Sequence, residues 1–298
     1  MPRLTFLPVA ALLIAMHTSA FGQLIGDTAV ETESLPAEWA QLDEEEMGEI
    51  TRNHLRGLVR AMHKYHDEKG SLPPAVIPNE ELPPEKRLSG FVLLLPYLDA
   101  RDFSSGGELG NRFFDDEIAR AAKTLYDSID RSKAWDDPAN LEAARSVVPA
   151  FLAPGIKPIR SEDGYALAHF AFVRGALGKD NGAFTNAAGI TIKDITDGTD
   201  STLALGQVDT ALGPWIAAGP ATSRHVYHPS VENDALSFGG PYKGGAYFVN
   251  VDSFAYFLNT LKTKPEDYHA LATRSGREIN LMSKVSRSTT AREQNTDR

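Results

Sequence analysis

The sequence predicts a single α+β domain. Two observations carry this prediction: helical patterns occupy the chain up to about Pro154, and short segments rich in β-branched and aromatic residues follow it. Helices and strands that occupy separate parts of a chain favour an α+β arrangement over alternating βαβ units. A third observation is the composition: 298 residues with 42% hydrophobic and 23% charged side chains are typical of a globular protein with a sizeable core.

Residues 1–22 are predicted to be a signal peptide. Arg3 precedes an apolar run from Leu4 to Met16, which is shorter than the roughly 20 residues of a spanning helix and is followed by small residues. We expect cleavage between Gly22 and Gln23, with a cut two residues earlier as the alternative. The protein is therefore expected to be exported, in the periplasm, at the cell surface or secreted. An uncleaved signal anchor and a buried N-terminal helix are the other interpretations.

Charge and cysteine content exclude several classes of function. The net charge is -10, and cleavage after Gly22, which removes Arg3, would leave -11. We expect no nucleic-acid partner, because such binding depends on contacts from Lys and Arg to phosphate, and no docking on anionic lipid. Cysteine is absent, which excludes disulfides, thiolate metal sites and a lipid-modified cysteine. After cleavage no integral membrane span is expected.

A linker is predicted over residues 23–42, and the domain is predicted over residues 43–282. The domain opens with the strongest helical pattern of the chain. Residues spaced by three and four form one stripe, which comprises Met47, Ile50, His54, Leu58, Met62 and Tyr65. Asp43 and Glu46 are placed to form a capping box, and Gly70 is a natural stop. A helix of about 25 residues is therefore predicted.

The rest of the chain holds shorter patterns. Helical segments are predicted within residues 89–99, over 114–129 and over 138–147. Strands are predicted at residues 168–173, 189–195, 202–208 and 245–251. Segments 254–262 and 265–273 are consistent with strand or helix, and the polar residues 283–298 predict a disordered tail.

Several landmarks occur in a characteristic order. They are residues 53–56 (NHLR), 93–98 (LLLPYL), 135–140 (WDDPAN), 192–202 (IKDITDGTDST) and the glycine pairs at 239–240 and 244–245. Together they resemble a bacterial domain of unknown function numbered fifteen fifty-nine, a solute-binding-like family related to the pseudopilin G headpiece. The resemblance covers about residues 50–280. It implies a long N-terminal helix packed on an antiparallel β-sheet, in an envelope or surface protein without known catalysis.

The chain departs from that family in ways that bear on function. Typical members begin with a prepilin leader and a long hydrophobic assembly helix, where this chain has a signal peptide. Members often have Cys, Glu and His at the positions of Ala153, Gln207 and Tyr242. The resemblance therefore implies a prepilin-like variant that does not polymerise as a pilin does, and in which a polar site at those positions would be degraded.

Two groups of residues are candidates for metal binding. His63 and His66 share a helix face, although packing or capping of the helix is the preferred interpretation because a third ligand is missing. Asp194, Asp197 and Asp200 resemble an oxygen-rich calcium loop. Their spacing of three and the missing later Glu favour a turn. We thus predict no metal and no cofactor, with calcium at these residues as the alternative.

The sequence predicts no catalytic residues. His225 and His228 are interpreted as loop histidines, and the glycine pairs as turns around Tyr242. Asp136 and Asp137 are interpreted as a helix N-terminal cap, not an acid/base pair. The sequence contains neither a G-x-S-x-G motif nor a cysteine nucleophile.

We therefore predict a non-enzymatic envelope or surface protein that acts through binding or assembly. Its expected partner is an unidentified envelope protein, and its expected state is a monomer or a small oligomer. The alternatives are a calcium- or solute-binding secreted protein and a secreted hydrolase of unrecognised type.

Overall fold

A computed structural model describes residues 37–104, 114–176, 178–227, 236–276, 285, 287–288 and 290–295. All of them lie in the unit Glu33–Arg298. The predicted signal peptide, residues 1–22, and residues 23–36 of the predicted linker lie outside the described residues. The end of that linker forms a turn of 3-10 helix, Ala37–Gln41, in which Trp39 is buried.

Helix α1 (Glu44–Lys69) begins and ends where the sequence predicts. The Asp43 carboxylate accepts hydrogen bonds from the backbone N–H of Glu45 and Glu46, each at 2.9 Å. The Glu46 carboxylate in turn accepts from the Asp43 N–H at 2.9 Å, which completes the capping box. Gly70 ends the helix in the left-handed region, with a φ of 80°. The predicted long helix is confirmed.

Six shorter α-helices follow in the described chain: α2 (Phe91–Leu94), α3 (Ala100–Phe103), α4 (Asp116–Ser128), α5 (Leu141–Arg145), α6 (Pro265–Leu271) and α7 (Ala291–Asn295). The helices predicted within 89–99, over 114–129 and over 138–147 are confirmed as α2, α4 and α5. Asp115 begins α4, since its carboxylate accepts from the N–H groups of Glu117 and Ile118 at 2.9 Å. Among the described residues, no helix is both long enough and apolar enough to cross a membrane.

The strands that the structure describes form one sheet. They are β1 (Phe170–Ala176), β2 (Leu203–Gln207), β3 (Ser223–Val226), β4 (Ala246–Asn250), β5 (Ala255–Leu258) and β6 (Arg287–Ser288), in the spatial order β3-β1-β2-β4-β5-β6. All neighbouring pairs are antiparallel except β1 and β3, which are parallel. Strand β3 lies on the far side of β1 from β2. It runs opposite to β2, and because β1 also runs opposite to β2, β3 is parallel to β1. The α+β class is confirmed, and the sheet is mixed.

The structure differs from the predicted elements at several places. Residues 189–195, a predicted strand, contain the 3-10 turn Ile192–Asp194, because Asp194 bonds to the backbone of Thr191. Strand β3 was not predicted. Segment 265–273, for which strand and helix were both left open, contains helix α6, in agreement with one of these two predictions. In place of a disordered tail, β6 and α7 pack on the domain. There Ala291 is buried and donates its N–H to the Tyr247 hydroxyl at 3.3 Å.

Side chains alternate between the two faces of the sheet along each strand, and other elements pack on both faces. On one face, beneath α1 and α2, Phe91 packs on Phe172 with ring centroids 4.6 Å apart. On the other face, Tyr268 of α6 meets Phe248 edge to face, with ring centroids 6.0 Å apart. Leu58, on the predicted stripe of α1, is fully buried. The core therefore has two layers, one on each side of the sheet.

Candidate functional site

A concave surface of the described chain lies between the turn after α2 and helix α4. We call it the α4 groove, and it has a volume of about 650 Å³. Its lining residues are Pro96, Leu98, Asp99, Ala100, Arg101, Asp116, Ala119, Arg120 and Lys123. Helix α4 is amphipathic: it buries Ala122 and Leu125 against the domain, and this leaves its opposite face to line the groove.

The acidic wall of the α4 groove is neutralised by fixed ion pairs. The Arg101 guanidinium donates to both Asp99 oxygens, at 3.0 and 2.7 Å, and the Lys64 ammonium lies 3.2 Å from the same carboxylate. The hydrogen bonds from Arg101 are the main cause, with Lys64 as a further one, that the pKa of Asp99 is held well below its usual range. Lys64 also pairs with Asp102 at 2.6 Å. Asp99 is thereby a structural group that joins α1 to the groove wall.

The cationic wall of the groove has no such partners. Arg120 and Lys123 are exposed on α4, and neither forms an ion pair within the described part of the chain. Residues three positions apart on a helix lie on one face. The groove therefore presents two adjacent positive charges beside an apolar floor that includes Leu98 and Ala119.

The predicted histidine pair serves the packing of α1. His63 donates from Nε2 to the Val251 carbonyl oxygen at 2.7 Å, which ties the helix to the turn after β4. The Nδ1 atom of His66 lies 3.6 Å from the Asp67 carboxylate, beyond hydrogen-bond distance. Nowhere in the described ranges do three His, Asp or Glu side chains form a group that could hold a metal ion.

The predicted calcium loop is built from separate local contacts. Asp194 accepts from the N–H and the hydroxyl of Thr191, both at 2.8 Å, and these bonds lower its pKa. Asp197 accepts from the N–H of Gly276, and Asp200 accepts from its neighbour Ser201 at 3.2 Å. Each carboxylate thus stabilises a turn or a cap. The structure does not bring these residues together with His63 and His66 as a metal group.

The remaining candidates also have structural surroundings. Asp137 accepts from the Ala139 N–H at 2.9 Å, which confirms the predicted cap, while Asp136 pairs with Lys86. His225 lies on strand β3, so its assignment to a loop was wrong; its pKa is lowered by burial and by nearby Arg174. His228 lies outside the described residues.

The first glycine pair has a role that turn reasoning missed. A Cβ at Gly239 would lie 2.4 Å from the Asp209 carboxylate, and one at Gly240 would lie 2.4 Å from the Gln207 amide oxygen. The Gly239 N–H also donates to the Gln207 carbonyl at 3.0 Å. This pair is needed because the loop passes directly over the end of β2.

Gln207 and Tyr242, two positions singled out in the sequence, lie against the same residue, Tyr247. Gln207 is fully buried, and its side-chain oxygen is 3.4 Å from the backbone N–H of Tyr247. Tyr242 packs edge to face on the same Tyr247, with ring centroids 5.2 Å apart, and burial raises its pKa. These positions form one buried cluster beneath α1. The cluster is aromatic, and the buried side-chain nitrogen of Gln207 has no hydrogen-bond partner among the described residues.

Sequence reasoning missed a pair of buried histidines around the third departing position. His54 donates from Nδ1 to the Leu152 carbonyl at 2.8 Å. His169 accepts at Nδ1 from the Ala153 N–H at 3.1 Å and donates from Nε2 to the Pro158 carbonyl at 3.0 Å. Burial lowers the pKa of each histidine to about 4, so both are neutral. The only advance signal was the place of His54 in the apolar stripe of α1.

Comparison with known proteins returns one family. Residues 51–271 match the family described as a protein of unknown function (DUF1559). The match begins within α1 and ends with α6, so it contains the groove, the buried cluster and both buried histidines. No curated protein matches the chain significantly. No solved structure matches it significantly.

Proposed function

The chain belongs to the family of proteins of unknown function DUF1559, and on that premise we propose that it is a non-enzymatic exported protein of the cell envelope or surface. It acts through binding or assembly with another envelope protein. The export step rests on the N-terminal sequence, in which Arg3 and the apolar run from Leu4 to Met16 have the pattern of a signal peptide. The exported protein would be periplasmic, attached to the cell surface or secreted.

One observation carries the binding role: the α4 groove, with its apolar floor and two unpaired cations. Concave surfaces of about 300–1,000 Å³ that combine apolar lining with a few polar groups are the usual form of binding sites. The groove has a volume of about 650 Å³, which falls in this range, and it is open to solvent and not an enclosed cavity. Its two sides are positioned by the Asp115 cap of α4 and by the Asp99–Arg101–Lys64 contacts. A preformed surface reduces the ordering cost of binding.

The start of α1 supports a soluble role over filament formation. Residues 43–46 are four consecutive carboxylates, and two of them, Asp43 and Glu46, form the capping box of the helix. Burying unpaired carboxylates costs several kcal/mol each, so this end of α1 is unsuited to the core of a pilin-like filament. A net charge of -10 also opposes self-association.

The binding role is tested by photocrosslinking in the native host. A photoreactive amino acid is placed at the partly exposed Ala119 in the lining of the α4 groove, or at the exposed Thr124 on the same helix outside that lining. We expect a discrete crosslinked product from the envelope with the probe at position 119 and a much weaker product at 124. Equal products at both positions, or none at 119 in a correctly exported protein, would contradict a specific binding role for the groove.

A further inference from the structure

We propose that the α4 groove binds an acidic, carboxylate-rich segment of a partner protein, held by Arg120 and Lys123. This inference rests on the proposed binding function and adds to it the chemistry of the partner. It follows from the charges that the groove leaves unpaired, the spacing of those charges and the apolar floor between them.

Charge complementarity points to an anionic occupant. Asp99 is paired with Arg101 and Lys64. Asp116, one turn before Arg120 on α4, forms no ion pair in the described chain and helps to raise the pKa of Arg101, although Asp99 is the main cause of that rise. The charges of the lining still sum to +1, since Arg101, Arg120 and Lys123 exceed Asp99 and Asp116 by one. Arg120 and Lys123 are left without an ion pair in the described chain. On a protein with a net charge of -10 they form a local positive site. Hydrogen bonds from such cations to carboxylates are roughly twice as strong as neutral ones.

The spacing favours a peptide. Cβ atoms three residues apart on a helix are about 5–6 Å apart. In an extended chain, every second side chain points to the same side and such residues are about 6–7 Å apart. Two acidic residues at alternate positions would therefore reach Arg120 and Lys123 together, while the peptide backbone covers the partly exposed Ala119. The fork of the Arg120 guanidinium suits bidentate contact with one carboxylate.

The same features disfavour a nucleic acid as the occupant. Single-stranded nucleic acid carries one charge per phosphate, and its binding typically uses a groove that tracks the backbone together with exposed aromatic rings. The lining of the α4 groove contains no aromatic residue and only two unpaired cations. The overall negative charge of the protein further opposes a polyanion of this kind.

The test measures binding of a fluorescein-labelled hexaglutamate peptide to the purified exported protein by fluorescence anisotropy at low ionic strength. The double variant Arg120→Gln/Lys123→Gln removes both groove cations. The matched control Lys133→Gln/Lys193→Gln removes the same charge from exposed sites outside the groove lining. We expect at least about tenfold weaker binding for the groove variant, less than about twofold change for the control, and loss of affinity as salt rises.

Three results would overturn the assignment. The first is no binding of hexaglutamate, and the second is an equal loss of affinity in both double variants. The third is binding of hexathymidylate that is as tight as that of hexaglutamate and is weakened as much by the groove substitutions. Thermal unfolding of all variants shows whether the exposed substitutions leave the fold intact. If hexaglutamate does not bind but the probe at Ala119 still crosslinks to an envelope protein, the acidic chemistry fails and the binding function stands. If hexaglutamate does not bind and the probe gives no crosslinked product, both proposals fail.

Discussion

The phenol oxygen of Tyr247 lies directly against Gly48, so that a Cβ on this residue of α1 would come within 2.3 Å of it. Tyr247 is held there, since its ring packs edge to face on Tyr242 and Phe257 and its oxygen accepts the Ala291 N–H at 3.3 Å. The contact sets how closely the long helix approaches the sheet. It also links α1 and β4 to the C-terminal helix α7.

Gly48→Ala is therefore expected to destabilise the protein, by about 1–3 kcal/mol of unfolding free energy, because the new methyl group overpacks the interface. In an unpacked helix the same change would be stabilising by about 1 kcal/mol. Chemical denaturation of Gly48→Ala, Tyr247→Phe and the double variant checks this. The double variant should be more stable than the sum of the single changes implies, since removing the oxygen relieves the overlap. Strict additivity would contradict the contact.

Leu58→Ala is expected to lower the free energy of unfolding by about 2–5 kcal/mol, because the Leu58 side chain on α1 is completely buried and its truncation leaves a cavity. His63→Ala provides the comparison on the same helix. It removes a half-buried ring and one hydrogen bond to Val251, so its cost should be far smaller. A negligible loss of stability for Leu58→Ala in urea unfolding would show that α1 is not part of the core.

Stability is expected to fall as the pH drops from about 6.5 to about 4. His54 and His169 have a pKa near 4 when folded and near 6.5 when unfolded, so between these values the unfolded chain binds more protons. Their contribution is complete above pH 6.5 and is lost on acidification. Between pH 7 and pH 5, proton binding to each histidine in the unfolded chain should lower the free energy of unfolding by roughly 2 kcal/mol.

His54→Asn separates this effect from general acid sensitivity. The Asn amide can still donate to the Leu152 carbonyl, but it does not titrate. Whatever its stability at pH 7, urea unfolding of this variant should show a pH dependence that is weaker by roughly one histidine. An unchanged slope between pH 7 and pH 5 would mean that His54 is protonated in the folded protein.

Removal of the C-terminal segment is expected to cause self-association. Strand β6 pairs with the edge of β5 through Phe257↔Ser288 and Leu258↔Arg287. A chain that ends at Gly276 exposes that aromatic edge, and unpaired edges template pairing with other chains. Light scattering after size exclusion should show a monomer or small oligomer for the exported protein and larger species for the truncated one. The full-length variant Arg287→Ala, which keeps the backbone pairing, is the control; identical profiles for all three would contradict the prediction.

Export is expected to remove the first 22 residues. N-terminal sequencing of the native protein should begin at or near Gln23, because small residues follow the apolar run there. Leu13→Arg, which interrupts that run, should leave the precursor inside the cell. Intact Met1 on soluble cytoplasmic protein of natural sequence would refute the signal peptide.

Local interactions explain which elements were predictable. The bounds of α1 follow from Asp43, Glu46 and Gly70, whose capping contacts reach only a few residues along the chain. The pattern of α4 likewise contains its own cap and apolar face. Strand β3 could not be predicted, because only four residues form it and its place depends on pairing with β1, some fifty positions earlier.

The sequence by itself determined the α+β class, the long capped helix, the family and the expectation of export, because these depend on composition, local spacing and motif order. Tertiary structure decided which residues meet. It placed the Gly239–Gly240 loop over Gln207, buried His54 and His169 as neutral groups, and paired Asp99 so that Arg120 and Lys123 remain the available charges of the α4 groove. The physical reason is that burial, desolvation and ion pairing depend on contacts between residues distant in sequence, which local patterns do not encode.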